Sequence, residues 1–218
     1  MDHAMKVLAS CDSVYFLEHH EAFYYSALEQ GLTPFINVVN PTKEVQNLVE
    51  KLENVDYSFY KGTPSRASLA CNRFFIAEDY IEGGILITDI DCFFNKEMPH
   101  ISEDIGLFLR EEQAFTGMRV AAGILWLKGN TASRVFINAV TNNIRNLDKN
   151  WFVDQKAIYE TYCKLKDDLS IFKFTNVHMD WEFTSESCIW TGKGSRKYKN
   201  KTYLERKREI ENGNNKDI

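Results

Sequence analysis

Two aspartates, Asp89 and Asp91, close the apolar run Ile85-Leu86-Ile87-Thr88 with only Ile90 between them. A side-chain period of two sends both carboxylates to one side if the chain stays extended through Ile90. Carboxylates that close repel each other, and leaving both charged and unpaired is costly. The neighbours Ile90, Cys92, Phe93 and Phe94 supply no cationic partner. A hard divalent cation would relieve the repulsion, and oxygen ligands point to magnesium or manganese rather than zinc. The competing reading is a solvated pair that caps a turn. The continuous apolar strand ahead of the pair favours a ligand site, because open parallel sheets bind ligands beyond their strands' carboxyl ends.

Other groupings carry weaker chemistry. Glu18-His19-His20-Glu21 offers metal-ligating types, but successive helical residues point apart and the spacing is not that of HExxH, so it reads as a solvated helix face. Trp126, Trp151, Trp181 and Trp190 can stack on sugar rings or simply pack in a core; Trp151 and Trp181 are the candidates for a stacking platform. Cys11, Cys71, Cys92, Cys163 and Cys188 form no CxxC pair and no zinc-like spacing, as expected of reduced packing residues in a cytoplasmic protein.

The elements that must position the aspartates alternate in type. Apolar runs at 5–10, 34–39, 55–60 and 85–89 read as strands, and helical spacing over 16–30, 45–52 and 65–81 falls between them. That order predicts an α/β fold with a mostly parallel central sheet flanked by helices. Further strands are expected at 105–109, 121–128 and 170–174, and helices at 131–146 and 153–165. Neither a repeat nor a linker divides the chain, so one domain is expected over 1–197. Residues 198–218 read as a basic to polar tail, partly disordered at ENGNNKDI.

Composition excludes several classes. The 218 residues carry 44% hydrophobic and 26% charged residues, an ordinary globular balance. A net charge of −5 argues against sequence-specific nucleic-acid binding, which needs a basic face. Base is concentrated in 193–208, with eight Lys or Arg against Glu205 alone, which permits contact with an anionic membrane surface. Nowhere do 18 apolar residues run together.

The stretch CNRFFIAEDYIEGGILITDIDCFF resembles the metal-motif region of GT-A fold nucleotide-sugar glycosyltransferases, in which an arginine-bearing helix precedes a strand ending in DxD. It is most similar to the retaining group that includes glycogenin and bacterial lipopolysaccharide galactosyltransferases. Three more segments fall in that group's order: AAGILWLKGN (121–130), WFVDQKAIY (151–159) and IWTGKGSRK (189–197). The resemblance spans most of the chain up to about residue 197.

It implies a GT-A fold and transfer of a hexose from a nucleoside-diphosphate sugar, a UDP-sugar in particular, with retention and with Mn2+ or Mg2+. Asp91 would ligate the metal, with Asp89 sharing the metal or the ribose. Arg73 would meet the diphosphate or order the aspartates. Lys193 and Gly194, assisted by Arg196 and Lys197, would approach the phosphates, and Gly123 would lie against the donor. Ser10 and Asp12 would border the base, although Asp12 also suits a helix cap. Asp154 and Gln155 would lie near the anomeric carbon, where Asp154 is either a nucleophile or a helix cap. Two positions depart from the pattern. Ala121 stands where Asn is frequent, and Thr191 where a metal-binding His is common, which leaves His178 as the substitute third ligand. The acceptor stays open: glycan, lipid-linked sugar, protein or modified base. Rival readings are a non-catalytic sugar-nucleotide binder and a phosphatase of the haloacid dehalogenase type; the latter needs its DxD early in the fold, whereas here it arrives after some 85 residues.

Overall fold

The computed structural model describes residues 5–62, 66–148, 150–192 and 194–213. Its first half alternates strand and helix: β1 (Lys6–Asp12), α1 (Ser13–Glu29), β2 (Thr33–Val39), α2 (Lys43–Val49), β3 (Asp56–Tyr60), α3 (Arg66–Tyr80) and β4 (Ile85–Thr88). Then come β5 (Cys92–Phe94), β6 (Ile105–Leu109), β7 (Val120–Leu127), α4 (Thr131–Asn146), α5 (Val153–Leu165), β8 (Ile171–Lys173), β9 (Met179–Asp180), β10 (Ile189–Thr191), α6 (Arg196–Lys199) and α7 (Lys201–Gly213).

Seven strands form the main sheet in the order β3-β2-β1-β4-β7-β6-β8, with β7 antiparallel to its neighbours β4 and β6. The fold is therefore α/β with a mostly parallel sheet, as the alternating pattern predicts. From β1 the chain winds one way to β2 and β3, then returns to place β4 on the other side of β1. The order reverses between β1 and β4, the point at which open α/β sheets bind ligands beyond the strand ends.

Local sequence explains the elements around that point. All four residues of β4 are fully buried, each large aliphatic contributing about 1.5–3 kcal/mol. Helices cover both faces. Phe16, Phe23 and Ala27 of α1 share one core with Val7 and Leu86, and Phe74, Phe136 and Ile158 share the other with Leu8 and Ile87. Asp12, Thr42 and Asn130 cap α1, α2 and α4 through hydrogen bonds to Tyr15 N, Val45 N and Ser133 N. Before β4 the chain turns through Gly84 at φ +90°, where a Cβ would lie 2.6 Å from the Trp126 ring. Glycine is the residue that fits.

Where the chain leaves β4, the structure departs from the sequence reading. The strand ends at Thr88, and Asp89–Asp91 forms a turn, with Cys92 N donating to Asp89 O at 3.4 Å. Ile90, 3% exposed, anchors that turn in the core. The chain then enters a second sheet, in which β10 pairs antiparallel with β5 and parallel with β9. This small sheet was not legible in the sequence.

The C-terminal segment also differs from the expected tail. Residues 201–213 form α7, whose Tyr203 and Ile210, seven apart and both 1% exposed, pack with Phe93, Phe183 and Trp190. Its bases are largely taken up in ion pairs: Arg206 with Glu29 and Glu209, Lys207 with Glu211, and Lys201 with Glu205. Intramolecular pairing accounts for much of the basic run. Residues 214–218, the end of the expected disordered segment, lie outside the described residues.

Candidate active site

Asp89 and Asp91 stand just beyond the carboxyl end of β4, where the strand order reverses. Contrary to the expectation from their sequence neighbours, each has a cationic partner from a distant segment. Arg73, on α3 and 5% exposed, forms an ion pair with Asp89 through Nη1. Its other terminal nitrogen donates to Ala122 O at 3.0 Å and lies 3.5 Å from Asp154 Oδ2. One guanidinium thus clips together α3, the turn after β4, β7 and α5. Burial lowers the Arg73 pKa, but Asp89 and Asp154 outweigh it and the net shift is upward.

Asp91 is held from the C-terminal side. Lys197 Nζ lies 2.7 Å from Asp91 Oδ2; the lysine side chain is buried at 4% exposed, and the aspartate is largely covered at 13%. Tyr15 OH sits 3.2 Å from the same ammonium, with its ring centroid 4.4 Å away. The Asp91 carbonyl accepts from Gly192 N and from Tyr203 OH, both at 2.9 Å. Burial raises the Asp91 pKa, Asp89 raises it further, and Lys197 and Arg73 pull it back. Burial alone would lower Lys197, but Asp91 and Tyr15 carry it upward. At 2.7 Å and out of water, the two are held as an ion pair, because neutralising one would strand the other's charge.

Asp154 opens α5 and uses both oxygens. Oδ1 accepts from Gln155 N at 2.8 Å, whereas Oδ2 faces Arg73. The helix-start role and the site role coexist. Burial pushes its carboxyl up and Arg73 opposes that. Gln155 Oε1 accepts from Arg110 Nη2 at 3.1 Å. Phe152, immediately ahead of the helix, has φ +75°. A bulky residue in the left-handed region costs about 1–2 kcal/mol, a strain that fixes how α5 enters the site.

The remaining predicted residues divide. Gly123 is at the centre: a Cβ there would come within 2.9 Å of Asp89 Oδ2. Ser10 turns into a buried polar network, donating to Asn37 Oδ1 at 2.8 Å with Asn72 and Ser58 as further members. Asp12 caps α1. His178 is not brought to the acid pair: its Nδ1 accepts from Thr175 N at 3.0 Å, and its ring packs edge-on against Phe172 and Phe174. Among the described residues no three His, Cys, Asp or Glu gather as a metal-binding group. Gly194 occupies a left-handed turn at φ +64°, and Lys193 lies outside the described residues. Ala121 and Thr191 are buried, in β7 and β10.

Sequence reasoning missed Tyr15 and Tyr203, took Gly192 only as a glycine flanking Lys193, and gave Lys197 only an assisting part. Gly192 has no room for a side chain, since a Cβ would approach Asp91 O at 2.8 Å and Tyr203 OH at 2.9 Å. The signal for Tyr203 was its seven-residue spacing from Ile210, obscured by the charges between.

The carboxylate oxygens of Asp89 and Asp91 are the donor type a hard divalent cation takes. Three carboxylates against Arg73 and Lys197 leave one net negative charge. The bare edge of Gly123 keeps the space beside Asp89 Oδ2 clear. Magnesium in phosphate sites takes one or two protein carboxylates and completes its shell with phosphate and water, so a third protein ligand is not required.

No protein-family model matches the sequence, and no curated protein matches it. No helix among the described residues is long and apolar enough to cross a membrane. Solved structures do match. The glycosyltransferase GlyE of Streptococcus pneumoniae TIGR4 superposes with a TM-score of 0.62 at 14% identity, and its apo-form with 0.61 at 15%. These matches cover 97% and 96% of this chain, which spans 63% and 62% of theirs. The fold is that of a glycosyltransferase structure.

Proposed function

We propose that this chain is a metal-dependent GT-A glycosyltransferase that moves a hexose from a nucleoside-diphosphate sugar, UDP-linked, to an acceptor with retention of configuration. One observation carries the reading: at the end of β4 Arg73 pairs with Asp89 and faces Asp154, while Lys197 pairs with Asp91. Glycosyl transfer develops negative charge on the departing diphosphate, and preorganised cations stabilise such charge.

Asp89 and Asp91 would hold Mn2+ or Mg2+, which supplies Lewis-acid stabilisation of the leaving diphosphate. Arg73 fixes Asp89 and offsets part of the burial that pushes the Asp154 carboxyl up. Lys197 is the buried cation next to the diphosphate position, a role the sequence had given chiefly to Lys193. Gly192 and Tyr203 hold the Asp91 backbone so that its carboxylate does not drift. Asp154 lies one guanidinium away from Asp89, as a nucleophile or a group orienting the sugar requires. Asp154→Asn is expected to cut transfer by about a hundredfold or more while sparing donor binding. Near-normal turnover would remove Asp154 from the mechanism.

A non-catalytic sugar-nucleotide binder is the second reading, favoured by the ion pair that already occupies Asp91. A panel of nucleoside-diphosphate sugars with manganese, assayed for released nucleotide, separates the two. A transferase releases diphosphate slowly even without acceptor; a binder is thermally stabilised by nucleotide and releases none.

A further inference from the structure

Two arginines stand opposite each other where β6 and β7 run on beyond their last paired residues. Arg110 N donates to Arg119 O at 2.7 Å, continuing the antiparallel ladder past Leu109 and Val120. Residues opposite each other in such a ladder share a face, and like charges there repel. Both side chains reach α5: Arg110 Nη2 donates to Gln155 Oε1 at 3.1 Å, and Arg119 Nη1 to Tyr159 OH at 3.5 Å. Gln155 and Tyr159 are four apart on that helix and lie on one side of it. We propose that Arg110 and Arg119 form a receptor for an oxyanion, a carboxylate or a phosphate monoester, carried by a substrate. The receptor stands on these contacts; that its ligand is a substrate rests on the transferase reading above.

Charge argues first. Both arginines are partly buried, yet among the described residues neither meets a carboxylate in an ion pair. The other described arginines that are withdrawn from water do: Arg73 pairs with Asp89, and Arg206 with Glu29 and Glu209. The acceptors that Arg110 and Arg119 have found are neutral, namely two backbone carbonyls, the Gln155 amide and the Tyr159 hydroxyl. Arg110 Nε is buried with no acceptor. Burial pulls the Arg110 pKa down, and Glu112 opposes that without an ion pair; its exposed carboxylate accepts from the Gln113 amide at 3.2 Å. A shielded cation without a counter-charge is costly, and an arriving oxyanion removes that cost together with the repulsion between the two guanidinium groups.

Geometry argues second. The Arg110 guanidinium lies 6.0 Å from the Trp181 ring centroid, and that of Arg119 lies 5.5 Å from the Tyr159 centroid. Arg119 Nε also donates to Gln113 O at 2.8 Å, which ties down the loop joining the two arginines. A guanidinium held in this way presents its fork of N–H donors in a set direction, and that fork matches a carboxylate or a phosphate. Placement gives the receptor its substrate. Gln155 directly follows Asp154, whose Oδ2 lies 3.5 Å from Arg73. The pair therefore meets α5 next to the carboxylate assigned to the sugar.

Calorimetric titration of the full chain tests the assignment with matched charged and neutral probes. One arm compares UDP-glucuronic acid with UDP-glucose in manganese. The other compares glucuronic acid with glucose, and glycerol 3-phosphate with glycerol, each with and without UDP and manganese. In at least one pair the charged probe is expected to bind at least about tenfold more tightly. A preference in the first arm places the anion on the donor, and one in the second arm places it on the acceptor. The preference is expected to vanish in Arg110→Gln and in Arg119→Gln, and to persist in Lys51→Gln, which removes an exposed charge elsewhere. Arg119→Gln carries the test if Arg110→Gln fails to fold. The proposal is overturned if no charged probe outbinds its neutral partner, if the preference survives both arginine substitutions, or if Lys51→Gln abolishes it equally. The same samples are assayed for nucleotide release from both UDP-sugars. Release without any charge preference sinks this proposal alone; a preference without release sinks the transferase reading and leaves the receptor.

Discussion

Replacing Lys197 by methionine tests whether the C-terminal segment is part of the site. The side chain keeps its length and apolar stem but loses its charge, leaving Asp91, 13% exposed, without its 2.7 Å partner. Removing one member of a buried pair costs about 3–5 kcal/mol. The change also removes the Tyr15 contacts at 3.2 Å to the hydroxyl and 4.4 Å to the ring. For a chain of this size that loss corresponds to a melting shift of roughly 6–20 °C. The assay is urea unfolding of wild type, Lys197→Met, Asp91→Asn and the double variant, with chelator throughout. The double-mutant cycle is expected to return a coupling of about 3 kcal/mol. Manganese is then expected to restore Lys197→Met by about 2–3 kcal/mol at a hundredfold excess over its dissociation constant, because the ion replaces the lost counter-charge. A cost under about 1 kcal/mol, the level of an exposed pair, would refute the reasoning. So would a coupling within about 0.5 kcal/mol of zero.

Two further outcomes follow from single residues. The stretch Glu18–Glu21, expected to be a solvated helix face, instead buries both its histidines: His19 is 3% exposed beside Tyr15, and burial first, then Lys197 and Lys207, lowers its pKa to about 3. The unfolded chain therefore binds the extra proton, so His19 contributes stability above its ordinary pKa that is lost as pH falls toward the folded value. Relative to His19→Phe, wild type is expected to lose about 2 kcal/mol between about pH 7 and pH 5 in parallel denaturant titrations; identical slopes would contradict the shift. Gly123→Ala is expected to fold normally, since the Asp89 carboxylate can swing away from the new methyl, yet to lose most manganese-stimulated donor turnover. Unaltered metal activation would show that this space is not used.

Much of the fold was legible because it is local. The spacing over 131–146 and 153–165 is that of α4 and α5, and the β-branched run after Gly84 is β4. What escaped depends on contacts far apart in sequence. β5 exists because Cys92, Phe93 and Phe94 pair with Thr191, Trp190 and Ile189. Asp89 and Asp91 were legible as a pair, but the expected extended chain is a turn, because burying Ile90 bends it. Their cations come from α3 and from α6, so no window around the motif could reveal them. α7 read as a solvated charge run because its apolar contacts to the core rest on few residues, Tyr203 and Ile210 foremost. The sequence identified the acids; tertiary packing supplies their counter-charges.

Calorimetric titration of UDP into wild type, with manganese and again after chelation, bears most directly on the central idea. The acid turn beyond β4 is expected to bind UDP at least tenfold more tightly with the ion, and Asp89→Asn or Asp91→Asn to erase that gain. Equal affinity with and without the ion, or an undiminished gain in both variants, would contradict it.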